Sequence, residues 1–111
     1  MMAYISITGL RVKSIFHAPR FWWHALRSMA QAKTAPGNIS VDTRTINGVH
    51  HTMSVWQSRD AMRTYLTKGA HLAAMKSFRA IGSGKILGFE ANEAPPWSEV
   101  HDLWIKEGRE V

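Results

Sequence analysis

Six histidines are the groups in this 111-residue chain able to exchange a proton near neutral pH. His71 stands out because Ala74, Met75 and Phe78 follow it at i+3, i+4 and i+7, which puts the imidazole on the apolar face of a helix beginning at Ala70. There it could act as a general base or a ligand; the plain alternative is a histidine at a helix start that bonds a carbonyl or caps the loop at Gly69. His50 and His51 are neighbours on a strand, so they point to opposite faces and cannot hold one metal together. Whichever shares a face with a cleft is a candidate acid or base, and the other is a polar surface residue. A one-residue change of register would exchange them. No two histidines have the i, i+4 spacing of a helical metal site, His17 and His24 straddle Pro19, and there is no cysteine, so no metal site is expected.

Around these histidines the sequence offers an apolar, polarisable lining. Trp22, Met53, Trp56, Met62, Met75 and Phe78, with Tyr65 as a possible proton donor, suit a flat hydrophobic ligand such as an aromatic, polyketide-like or carotenoid-like molecule. The plain alternative for most of them is core packing. Before residue 86 the only carboxylates are Asp42 and Asp60, so paired-carboxylate chemistry is not expected. Gly82-Ser83-Gly84 precedes a strand instead of following one, which argues against a phosphate loop and a nucleotide cofactor.

Residues 1–85 carry twelve Lys/Arg against two acids, whereas residues 86–111 carry two against six. A basic body with an acidic tail suggests that the tail docks on its own body or on a partner subunit. The cations are scattered singly, so nucleic acid is not the expected partner. The hydrophobic fraction of 45% fits one ordinary globular domain. No apolar run approaches the ~18 residues of a membrane span, and no basic flank precedes an apolar run at the N-terminus. A cytoplasmic location is therefore expected.

The elements that must position these groups follow from periodicity. Ala3–Val12 alternates as a strand with Ile5 and Ile7 on one face, and Arg20–Ala32 has a helical stripe of Phe21, Ala25, Ser28, Met29 and Ala32. The tandem Trp22-Trp23 requires one indole to look away from that stripe. Ile39–Ile46 and Val49–Trp56 read as strands joined by a type I′ turn at Asn47-Gly48. Ser58 is the expected N-cap of a helix carrying Ala61, Met62, Tyr65 and Leu66, and Lys68-Gly69 its end. After the helix beginning at Ala70, Gly82–Gly84 is expected as a loop and Lys85–Glu90 as the last strand. Pro95-Pro96 interrupts the chain, and Ser98 is expected to cap a helix with Val100, Leu103 and Trp104.

The order βαββα(α)β is the split βαβ of a ferredoxin-like α+β domain, here residues 1–92, followed by an acidic helical tail, residues 93–111. A four-stranded antiparallel sheet with helices on one face needs cover on the other. A second copy of the chain is the simplest source, so a homodimer is expected.

A strand closing on Trp56-Gln57-Ser58, then Ala61-Met62, then Gly69-Ala70-His71 with Ala74-Met75, resembles the dimeric α/β-barrel superfamily typified by antibiotic-biosynthesis monooxygenases. Within it the pattern is most similar to spheroidene monooxygenase-like proteins, and Arg27-Ser28, Gln31 and Pro36-Gly37 resemble that group's first helix and turn. The resemblance covers most of residues 3–90. It implies a monooxygenase-like oxidoreductase acting on a hydrophobic substrate in a sheet–helix cleft, with either no cofactor or a haem held by His71. Where the haem-degrading branch has its tryptophan and axial histidine, this chain has Tyr65 and Met75, which counts against haem degradation. Because the fold hosts many chemistries, two alternatives stay open. One is a cofactor-independent lyase or isomerase using the same histidines; the other is a non-catalytic, ligand-binding dimer.

Overall fold

The computed structural model describes residues 2–12, 16, 18–67 and 82–110. Strand β1 (Ala3–Val12) leads to helix α1 (Ala18–Thr34), the hairpin of β2 (Asn38–Ile46) and β3 (Val49–Trp56), and helix α2 (Arg59–Leu66). The chain then continues through β4 (Gly82–Ala91), helix α3 (Trp97–Glu107) and a two-residue strand β5 (Arg109–Glu110). All strand pairings are antiparallel, in the order β2-β3-β1-β4-β5. This is the expected ferredoxin-like α+β sheet, extended at one edge by β5.

Local chemistry explains the element ends. Asn47 and Gly48 both have positive φ, 51° and 77°, as a type I′ turn demands. The Ser58 hydroxyl accepts from the Ala61 amide at 3.1 Å and so caps α2. Two expectations are corrected. Gly82–Gly84 is strand, not loop, because it completes the ladder opposite Leu10–Val12 of β1, where pairing outweighs glycine's poor strand propensity. The cap of α3 is Pro96, with Ser98 already inside the first turn, since the proline's extended backbone ends the preceding segment two residues earlier than serine chemistry suggested.

The two faces of the sheet differ in kind. On one, Ile5, Ile7, Val49, Met53 and Val55 form a buried cluster closed by Val100 and Trp104 of α3. A Cβ on Gly9 would overlap the Trp104 indole, so glycine is what lets the ring lie flat on β1 while its Nε1 donates to the Lys85 carbonyl at 2.8 Å. On the other face Ala32 of α1 and Met62 of α2 bury Trp56, with Tyr4, Val41 and Tyr65 alongside. The acidic tail thus packs on its own body, covering part of the face left bare by α1 and α2.

Candidate functional site

The face under α1 and α2 carries an unusual strip. Along β1 and β3 the cross-strand pairs facing the helices are Tyr4–Trp56, Ser6–Ser54, Thr8–Thr52 and Leu10–His50. Four hydroxyl residues therefore form a strip along the sheet, with His50 at one end and Trp56 at the other. A strip selected only for packing would be apolar; Ser6, Thr8 and Thr52 are half-buried and Ser54 is buried. At 3.3 Å per residue the two ends are about 20 Å apart.

At the first end, His50 is boxed by Phe21 and Trp22, with ring centroids 4.8 and 5.2 Å away. Its Nδ1 lies 2.9 Å from the Thr45 hydroxyl, and Nε2 has no partner among the described residues. Burial lowers its pKa below the ordinary 6.5, so the ring is neutral at physiological pH. If Thr45 accepts the Nδ1 proton, Nε2 is a free proton acceptor; if Thr45 donates, Nε2 is a donor.

At the second end, the Tyr65 ring lies tilted against Trp56, with centroids 5.1 Å apart, and its hydroxyl donates to the Ser28 carbonyl at 3.0 Å. Gln31 Nε2 donates to the Tyr65 carbonyl at 3.2 Å, which ties α1 to α2. Burial raises the Tyr65 pKa, so it is a neutral phenol that positions its neighbours. Beside it are two buried polar groups without a hydrogen-bond partner among the described residues, Trp56 Nε1 and Ser28 Oγ. An unsatisfied buried donor costs about 1–3 kcal/mol, a cost a ligand oxygen would remove.

The candidates named from sequence are therefore divided. His50 and Trp22 meet at one end of the strip, while Trp56, Met62 and Tyr65 meet at the other. His51 and Met53 lie across the sheet, in the core under α3. His71, Met75 and Phe78 lie outside the described residues.

His51 has a different setting from its neighbour. Fully buried, it donates from Nδ1 to the Thr8 carbonyl at 3.1 Å, and its Nε2 is 2.8 Å from Nδ1 of His101 on α3. With both rings neutral, His101 donates and His51 accepts. Burial above all, and then the nearby His101, Arg11 and His50, lowers the His51 pKa, while the Thr8 bond opposes that shift. His101 has one signal in the sequence, the i, i+3 pair His101–Trp104 on the apolar face of α3. Beside this pair Arg44, Asn47, Trp97 and Asp102 border an open groove of about 540 Å³. Among the described residues no three His, Asp or Glu side chains converge as a metal site.

No protein-family model matches the chain, and no curated protein matches it. Solved structures do share its fold. SnoaB, a cofactor-independent oxygenase from Streptomyces nogalater, aligns with a TM-score of 0.68 at 19% identity, over 86% of this chain and 99% of that one. A candidate antibiotic biosynthesis monooxygenase from Deinococcus radiodurans aligns with a TM-score of 0.71 at 20% identity, over 84% and 96%. A conserved protein from Methanosarcina mazei Go1 reaches 0.71 at 8% identity, over 80% and 92%. The chain has the fold of antibiotic-biosynthesis-monooxygenase-like proteins.

Proposed function

We propose that this chain is a monooxygenase-like oxidoreductase that takes an elongated, hydrophobic aromatic or polyketide-like substrate along the hydroxyl strip between sheet and helices. The observation that carries the reading is that two buried groups packed about Tyr65, Trp56 Nε1 and Ser28 Oγ, have no hydrogen-bond partner among the described residues, so each could donate to a carbonyl or phenolic oxygen. The hydroxyl strip solvates polar substituents along the molecule, and Phe21, Trp22 and Tyr65 supply flat apolar contact. The likeness to a cofactor-independent oxygenase supports the same reading.

Without a cofactor the substrate itself must supply the electrons for dioxygen. Removal of a proton from an activated CH₂ or phenol gives an electron-rich anion, and oxidation of CH₂ to C=O with release of one water accounts for both oxygen atoms. In this reading His50 Nε2 or His71 takes the proton, and Trp56 and Ser28 steady the charge that gathers on oxygen. His50 is too far from Trp56 for a small molecule to touch both, so His50 serves only a substrate that extends along the strip. A haem, if one binds, would rest on His71, and no step is assigned to it. His51 belongs in this scheme only through the packing of α3. The homodimer and the cytoplasmic location remain part of the proposal; among the described residues no helix is long and apolar enough to cross a membrane.

The test is oxygen uptake with hydroxylated polycyclic aromatic ketones as substrates. Trp56→Phe keeps the ring and removes the donor, and we expect kcat/KM to fall about 10- to 100-fold while the fold persists. Turnover that continues without oxygen would establish the lyase or isomerase alternative, and binding without turnover the non-catalytic one. Haemin titration of wild type and His71→Ala, followed by the Soret band, tests the haem ligand directly.

A further inference from the structure

The hydroxyl strip leaves one conspicuous surface unexplained. Phe16 is 90% exposed, Leu26 62%, Trp23 55% and Trp22 45%, so four large apolar side chains gather around the N-terminal half of α1. At 100° per residue Trp22, Leu26 and Trp23 fall within roughly one 100° arc, about a quarter of the helix circumference, turned away from the buried Phe21 and Ala32. A single exposed apolar residue is ordinary, but a contiguous aromatic group on one helix flank marks a contact surface.

The charges beside this flank identify its partner. Arg20, Arg27 and Lys33 lie on α1, which has no acidic residue; indeed the first acid of the whole chain is Asp42. The acids of the C-terminal region, Glu99, Asp102 and Glu107, lie on α3, across the sheet. The molecule is thus polar across its own sheet, with its basic side on the aromatic flank. The Arg27 guanidinium sits 4.6 Å over the Trp23 ring, a cation held at the edge of an apolar surface. Neither the Trp22 nor the Trp23 indole N–H has a hydrogen-bond partner among the described residues.

We propose that this flank of α1 docks on an anionic lipid bilayer. Trp22, Trp23, Leu26 and Phe16 enter the headgroup–acyl boundary, where an indole finds apolar chains for its ring and ester oxygens for its N–H. Arg27 and Lys33, with long apolar stems, keep their charges among the lipid phosphates. This is a surface attachment and needs no spanning helix. It stands independently of the oxygenase reading, although it would bring Trp22 and the His50 end of the strip to the source of apolar molecules.

Cosedimentation with vesicles tests it, using phosphatidylcholine alone or mixed with phosphatidylglycerol. Wild-type protein is expected to pellet with the mixed vesicles, to bind phosphatidylcholine alone far more weakly, and to be released by salt. Arg27→Glu should weaken binding about tenfold or more. The double variant Trp23→Ser/Leu26→Ser, which changes only exposed side chains, should leave the protein in the supernatant with an unchanged circular dichroism spectrum. The proposal is overturned if the wild type stays in the supernatant with the mixed vesicles, or if the variants bind as it does. It is also overturned if, without lipid, the double variant dissociates a wild-type dimer, because the flank would then be an interface between two copies.

Discussion

Two adjacent histidines illustrate how far apart a single step along a strand can carry two identical side chains. His50 faces α1 and its Nε2 has no partner among the described residues, whereas His51 faces α3 and is bonded at both ring nitrogens. The sequence established that they must diverge; it could not assign the faces, because that depends on which side of the sheet receives each helix. The buried pair makes a pH prediction. Burial holds the His51 pKa below the ordinary 6.5, so as pH falls through that value the unfolded chain takes up a proton that the folded chain still excludes. Stability should therefore be level above about pH 6.5 and decline below it. His101→Ala leaves His51 Nε2 without its donor and should cost about 1–3 kcal/mol, measured by urea unfolding at neutral pH. Thermal unfolding across pH 5 to 8 should show a shallower acid decline for His51→Gln than for the wild type, and an unchanged slope would mean that His51 is not its source.

Among the elements, α2 is fixed by local chemistry at its start and by packing along its body. Its first turn depends on Ser58, whose hydroxyl meets the Ala61 amide, and its body depends on Met62 beneath Trp56. Ser58→Ala should destabilise the protein by about 1 kcal/mol in equilibrium denaturation, and Ser58→Asp, an equally good cap, should restore it. Capping and turn chemistry are local, which is why the hairpin at Asn47-Gly48 and the start of α2 were legible from a handful of residues. The start of β4 was not. Gly82–Gly84 has the composition of a loop, and only the length of β1 opposite it draws those residues into the ladder.

At the scale of the whole molecule the C-terminal segment is part of the core. Val100 is fully buried and Trp104 nearly so, against Ile5, Ile7, Met53 and Val55. Burial of a large apolar side chain stabilises by about 1.5–3 kcal/mol, so these two alone contribute about 3–6 kcal/mol, a large share of a typical 5–15 kcal/mol total. A chain ending at residue 92 should lose cooperative thermal unfolding and bind a hydrophobic dye. A truncated chain that melts cooperatively as a stable dimer would instead mean that a second copy can replace α3 on this face.

The sequence by itself determined most of the described elements, though neither β5 nor the start of β4, together with the ferredoxin-like order, the alternation of faces along each strand and the separation of basic body from acidic tail. Each of these depends on periodicity, turn chemistry or composition, which act over a few residues. The tertiary structure alone decided that Met53 and His51 lie beneath α3, that Trp22 and Trp56 stand at opposite ends of one hydroxyl strip, and that His101 completes a buried pair with a residue fifty positions away. Those facts depend on which helix covers which face, and packing between distant segments has no signature in local spacing.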